Sequence, residues 1–425
     1  MRKTMCAAAL LLSGGTVQAD MASFPENVKI KPVLDVTLGA FYSDKSYNNP
    51  DASGDVSWQE AYAKYGFEAE VQHNGGALYG SVMGLSSGTF GDGDAGGMTT
   101  GKERRTSLEE WTAGWRNGLA EDASFDLRAG RQNIQIADGF IVAGDALNVG
   151  KGIADGELNR GGGYYLAARR SFEFAVQMKL QLNEQLKTQV YYLESDNKAQ
   201  YQPKLWAADT EYDFGKASAG LTYLQVTDLD DPYHESVRDD LQDISLRVKA
   251  QVNAQLAFSG EYVHQDQTHN NENAWYAAAH YSFDQLPYQP VLGYRYSSFS
   301  ENYDPLFYGN IDAGFGTWFQ GEVAGNYAGP FSSNARIHQL SLQASMKENL
   351  HVGLLAYQFE SMKKEIENLD GHEVNAFAVW SPTANINAIP LAGWYKPKKD
   401  IDHGGSQAGG TSSNVYAQLI LQYLY

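Results

Sequence analysis

Apolar and polar side chains alternate with a period of two along much of the chain, and the longest runs can be followed face by face. Leu34, Val36, Leu38, Ala40 and Tyr42 alternate with Val33, Asp35, Thr37, Gly39 and Phe41. Ile244, Leu246, Val248, Ala250 and Val252 alternate with Asp243, Ser245, Arg247, Lys249 and Gln251, so one face is oily and the other charged. Phe172, Phe174, Val176, Met178, Leu180 and Leu182 do the same against Glu173, Ala175, Gln177, Lys179 and Gln181. Period two marks strands with one apolar face. In a soluble sandwich the polar face meets water, whereas in a transmembrane barrel it lines the lumen and the apolar face meets lipid. The length of the runs favours the barrel. So do Trp111, Trp115, Tyr262, Tyr281, Tyr294, Tyr296, Trp380, Trp394, Tyr423 and Tyr425, which fall near the ends of apolar faces, where interface belts form.

The links between runs are of two kinds. Asn74-Gly75-Gly76, Asn183-Glu184, Phe214-Gly215-Lys216, Asn253-Ala254 and Glu348-Asn349 read as tight turns on the periplasmic side. The connections 88–106, 132–162, 228–240, 267–273, 300–335 and 398–411 are longer and read as extracellular or lumen-folded loops. The pattern predicts an all-β, antiparallel up-and-down barrel of about 18 strands. Sixteen is the alternative, because 310–330 and 383–397 are ambiguous. The segments 132–170 and 304–330 either fold inward as constrictions or remain surface loops.

Arg2 and Lys3, an apolar run from Met5 to Leu12, and the small-residue close Val17-Gln18-Ala19 predict a signal peptide over 1–19, leaving 20–425 as one barrel domain. Cys6 lies at the start of the apolar run, which argues against a lipoprotein, and the mature chain has no disulfide. No later stretch approaches the roughly 18 to 20 apolar residues of a spanning helix. The mean hydropathy of −0.43 does not exclude a barrel, because alternation averages its apolar face away. The 27 Tyr, 18 Phe, 8 Trp and 43 Gly supply girdle aromatics and turn residues. A formal charge of −19 argues against a nucleic-acid partner. Asn414 to Tyr425 ends the chain on an aromatic, which resembles a sorting signal read by the barrel-assembly machinery. The other expected partners are outer-membrane lipid and lipopolysaccharide.

A guanidinium stays charged and offers a fork to carboxylate or phosphate, so lumen arginines confer anion selectivity. Parity turns Arg116, Arg128, Arg247, Lys249 and Arg295 inward as a basic track, and Arg131, Arg160, Arg169 and Arg170 could project from the 132–170 loop into the mouth. The alternative is that these cations merely pair with lumen carboxylates such as Asp126, Asp209, Glu211 and Glu261. Catalytic signals are thin. Gly84-Leu85-Ser86-Ser87-Gly88 closes a strand instead of forming a nucleophile elbow, and His264 with His269 lacks metal-ligand spacing. Gly91-Asp92-Gly93-Asp94 could bind calcium weakly but lacks EF-hand spacing. No catalytic residue, resident metal or cofactor is expected.

Leu127-Arg128-Ala129-Gly130-Arg131-Gln132, followed by a long loop and Arg169-Arg170, resembles the Arg-x-Gly-Arg-Gln region of the alginate-export outer-membrane channels. Tyr303-Asp304-Pro305-Leu306-Phe307-Tyr308-Gly309 is similar to a late Phe-Asp-Pro-Leu-Phe segment of that family, with Tyr in place of the first Phe. The resemblance implies an 18-stranded barrel with an arginine-rich constriction that passes an anionic polysaccharide. The expected function is a passive, substrate-selective channel of this kind. One alternative is an uptake porin for small anionic or organic nutrients, and a second is an outer-membrane enzyme or a plugged structural barrel.

Overall fold

A computed structural model describes residues 25–47, 54–120, 123–152, 156–231, 236–307 and 320–425. The expected signal peptide, the Tyr308-Gly309 end of the late motif and the ambiguous stretch 310–319 lie outside the described residues. The strands are β1 (Val28–Ser43), β2 (Val56–His73), β3 (Gly76–Gly91), β4 (Arg104–Ala120), β5 (Ala123–Asn133) and β6 (Ser171–Gln181). Next come β7 (Leu186–Glu194), β8 (Lys204–Asp213), β9 (Ala217–Asp228), β10 (Gln242–Gln251), β11 (Leu256–Asp266) and β12 (Asn271–Ser282). The series ends with β13 (Val291–Phe299), β14 (Ala335–Lys347), β15 (Leu350–Ser361), β16 (Gly371–Thr383), β17 (Ile386–Pro397) and β18 (Asn414–Leu424). Each strand pairs antiparallel with its chain neighbours, and β18 closes on β1 from Asp35 opposite Leu424 to Ser43 opposite Tyr416. The result is a closed 18-stranded barrel, which leaves no edge unpaired.

Burial runs inside out relative to a soluble protein. On β10, Ile244, Leu246 and Val248 are 50–55% exposed, whereas Asp243, Ser245 and Arg247 between them are at most 2% exposed. The apolar face therefore turns outward and the polar face into the lumen. Trp111, Tyr262, Tyr281, Tyr294, Trp380, Trp394, Tyr423 and Tyr425 all stand exposed on the outer surface or rims. Phe172 departs from the sequence pattern. A register shift between β5 and β6, at Gly130 and Gln132, turns it inward, where it is fully buried. The link 267–273 is also shorter than expected, because β12 already begins at Asn271.

Two long connections leave the same rim and fold into the lumen. In the β5–β6 loop, Ile134, Ile136, Phe140, Ile141, Val142, Tyr165 and Leu166 are buried. In the β13–β14 connection, Leu306, Phe307, Val323 and Tyr327 are buried too. The two loops meet at a parallel bridge between Val142 and Phe307. Aromatic contacts bind them to the wall: Phe140 lies 5.2 Å from Tyr276 and 5.8 Å from Phe299, and Tyr327 lies 5.8 Å from Trp58. The described parts of both segments are thus inward-folded, and their apolar content is explained by packing against each other and the wall.

Candidate functional site

Wall carboxylates hold the two loops by their backbones. Glu60 on β2 accepts the amides of Tyr165 and Leu166 at 3.2 and 2.8 Å. Glu109, at a β4 bulge, accepts those of Arg170 and Ser171 at 2.9 and 3.0 Å. Glu373 on β16 accepts Glu322, Val323 and Ala324 at 2.6–3.1 Å. Buried backbone donors need partners, and each carboxyl group offers oxygens that can accept several of them. Much of the acidity of the lumen is thereby committed to loop anchoring.

The basic residues divide into two groups. Arg247 on β10 is 2% exposed, donates to Asp209 at 2.8 Å and Thr222 at 3.2 Å, and lies 3.7 Å from Glu211. Arg295 on β13 is buried with its guanidinium 3.6 Å over the Tyr276 ring. Lys249, one inward position from Arg247, reaches Asp138 of the β5–β6 loop at 2.5 Å. Arg116 bonds Glu70 near the short-turn end and stacks over Tyr79. Arg128 is half-buried and donates to a neutral amide, Gln177 Oε1, at 3.3 Å. Of the expected track, then, Arg247, Lys249 and Arg116 are paired with carboxylates, and Arg128 is held by an amide.

Arg131 lies on β5 and not in the loop, and it and the loop arginines serve as struts instead of projecting freely into the mouth. Arg160 bridges Asp145 at 3.3 Å and Asp196 at 2.8 Å, and Arg131 meets Asp196 at 2.7 Å. Burial raises the Asp145 carboxyl above its ordinary range despite Arg160. Asp196 goes the other way: burial opposes its charge, but Arg160 and Arg131 hold it below the usual carboxylate range. Arg169 is 1% exposed, contacts Glu109 at 3.4 Å and Ser107 at 2.5 Å, and is pushed down by burial to about 10. Arg170 donates to the Ala143 carbonyl at 3.2 Å, and its Nε has no hydrogen-bond partner. Burial lowers it as well, with Tyr62 of β2 working the other way.

Lumen cations also occur outside the expected track, Lys64 and Lys179 among them. Lys64 on β2 lies 3.0 Å from Glu110. Lys179 on β6 is exposed to the lumen, with no ion pair or side-chain hydrogen bond among the described residues. Its parity was legible, since it alternates with Met178 and Leu180. Lys64 had a weaker signal, because β2 mixes aromatics into both faces. Arg238, in the β9–β10 loop, grips Asp304 with two bonds of 2.7 and 2.8 Å and so fixes the late motif.

The other candidate chemistry resolves into structure. Asp94 accepts the Thr99 hydroxyl at 2.6 Å and the amides of Gly96 and Met98, so donors occupy its oxygens. No group of three or more potential metal ligands occurs among the described residues. Gly84 to Gly88 is continuous strand, with no elbow. In the early motif, Gly130 has a φ of 135°, and a Cβ there would lie 2.0 Å from the Trp111 carbonyl, so a glycine is required beside the bulge.

No protein-family model matches the chain and no curated protein matches it, so the alginate-export resemblance rests on its two short motifs alone. Solved structures do match over nearly the whole length. Pseudomonas aeruginosa OpdQ superposes with a TM-score of 0.60 at 11% identity, covering 93% of this chain and 97% of that one. Pseudomonas aeruginosa OccK8 (OprE) gives 0.60 at 11% identity, over 93% and 98%. Acinetobacter baumannii OccAB4 gives 0.59 at 12% identity, over 93% and 98%. At such identities the likeness is one of fold, and the fold is the closed 18-strand antiparallel barrel of the Occ/Opd porins.

Proposed function

We propose that the protein is a passive channel of the bacterial outer membrane that admits small anionic solutes past a basic stretch of lumen wall. The observation that carries this reading is the pair Arg128 and Lys179 on adjacent strands. Both face the lumen, and among the described residues neither is in an ion pair. Weakly committed cations can attract an anion and release it again, which conduction requires. Two inward loops that pack on each other narrow the lumen, which favours small solutes over the polysaccharide implied by the sequence resemblance. The likeness to the Occ/Opd barrels supports a porin in place of an enzyme.

The test is single-channel recording in a planar bilayer under a salt gradient. The wild type should show discrete steps and an anion-favouring reversal potential, and Arg128→Gln with Lys179→Gln should move that potential toward zero. Absence of steps, or a cation-favouring wild type, would refute the reading. Liposome swelling that is fast with acetate and absent with an anionic oligosaccharide would separate small-solute passage from polysaccharide export.

A further inference from the structure

On the outer surface of β14 to β17, the rim next to the long loops carries a row of basic side chains. Arg336 and His338 on β14, Gln358 and Glu360 on β15, His372 on β16 and Lys396 on β17 all alternate with buried inward neighbours and so point away from the lumen. The register aligns them. His338 is opposite Gln358, Gln358 opposite His372, and His372 opposite Lys396, while Arg336 faces Glu360 one step nearer the loops. The next outward row toward the short turns, Tyr294, Leu340, Ala356, Val374 and Trp394, is aligned in the same way and carries no charge. Leu340, Val374 and Trp394 in it are 42–49% exposed.

The edge of the apolar belt falls between these two rows. A cation facing lipid costs about 2–4 kcal/mol at mid-depth and about 0–1 kcal/mol near the interface, so the basic row belongs at headgroup level. Tyr294 and Trp394 beneath it fit an interfacial aromatic belt, and the Tyr294 hydroxyl ties His338 Nδ1 at 2.7 Å. The row holds a single acid, Glu360, against two permanent cations, Arg336 and Lys396. Glu360 accepts the Gln358 amide at 2.6 Å, and neither Arg336 nor Lys396 has an ion pair or side-chain hydrogen bond among the described residues. His372 stands directly opposite Lys396 on the same face, so the cross-strand neighbour of Lys396 is not an acid. In a chain of net charge −19, such a grouping calls for an anion from outside.

We infer that this row binds the phosphate of a membrane-lipid headgroup in the leaflet on the long-loop side, with Arg336 supplying a guanidinium fork and Lys396 a point charge. The inference rests on the outer-membrane reading above, since it needs lipid against this face.

Folded protein in detergent micelles, titrated with diphosphorylated lipid A and followed by native mass spectrometry, tests it. Wild type should hold the lipid, and Arg336→Gln with Lys396→Gln should weaken retention on the order of 25-fold, about fivefold per basic residue at a membrane surface. The dephosphorylated lipid should bind wild type and variant equally weakly. Equal retention of the phosphorylated lipid by both proteins would overturn the assignment. So would full displacement by millimolar inorganic phosphate, which would mark a site for a free anion. Bilayer recordings of the same preparations keep the two readings apart. A variant that loses lipid yet conducts normally supports the lipid site, whereas a wild type that binds lipid but never conducts refutes the channel alone.

Discussion

Lys249 Nζ lies 2.5 Å from Asp138 Oδ1, and this ion pair joins two parts of the barrel that the chain keeps far apart. Lys249 belongs to the wall strand β10, whereas Asp138 sits on the loop that leaves the wall at the end of β5. Tyr276 on β12 adds its hydroxyl to the same carboxylate at 3.4 Å. The loop is thus fastened to a wall well away from its root. Asp138→Asn or Lys249→Met should release this fastening. Because Lys249 is 45% exposed and Asp138 22%, global stability should change little, by about 0–1 kcal/mol. The effect belongs in single-channel records, as larger open-channel noise with a higher mean current. Traces indistinguishable from wild type would show that aromatic packing alone fixes the loop.

Arg247 should behave in the opposite way. Its guanidinium is enclosed by Asp209, Thr222 and Glu211, so Arg247→Gln strands a buried carboxylate and should destabilise the barrel by about 3–5 kcal/mol. Anion selectivity should hardly move. Unfolding in urea, followed by loss of the compact band on unheated gels, measures the first, and the reversal potential measures the second. Large selectivity loss with unchanged stability would return Arg247 to the conducting path.

The contrast between Arg247 and Arg128 shows what the sequence could carry. Period two places both inward, because a charge between apolar alternates can face only the lumen. It also supports the strands, the turn-side asymmetry and the outer belt from Trp111 to Tyr425. Parity is silent, however, on which carboxylate arrives from another strand or loop. Asp209, 38 residues from Arg247, reaches it across the intervening strand β9, and Asp138, 111 residues from Lys249, reaches it only through inward folding of the loop. The bulges at Glu109 and beside Gly130 were illegible for a related reason. Each inserts one residue and reverses the parity beyond it, which is how Phe172 came to face the lumen.

The Asp196 carboxylate gives a pH dependence with a definite sign. Its folded pKa is held below the ordinary 3.8 by Arg160 and Arg131, against the opposing effect of burial. A depressed carboxylate stabilises the fold fully above the unfolded value and loses that contribution as pH falls through the folded one. The strut between the β5–β6 and β7–β8 loops should therefore persist down to about pH 4 and fail only in stronger acid. Hydrogen exchange at Asp145 to Asn148, compared between wild type and Asp196→Asn, reads this directly. The variant should exchange faster at pH 6, with the difference closing only as pH falls below the ordinary carboxylate value and wild type loses the same charge. A variant as protected as wild type at pH 6 would remove Asp196 from the anchoring set.

Phe172 offers the sharpest separation of loop from wall. Its ring is fully buried and meets Phe307 edge-on at 4.9 Å, so one wall residue is pinned to the second lumen loop beside the bridge that joins both loops. Phe172→Ala removes that contact and leaves a cavity, at a cost of about 3–5 kcal/mol where the surroundings cannot collapse. The β5–β6 backbone pairing does not depend on the ring, so the closed barrel should survive and the loss should fall on the loops. Conductance should rise, and a bulky anion that wild type excludes should begin to pass. Phe172→Leu, which keeps most of the volume, should show a fraction of both effects. If Phe172→Ala instead unfolds the barrel with no intermediate gain in conductance, then loops and wall form one cooperative unit, and the lumen segments are structural core before they are a filter.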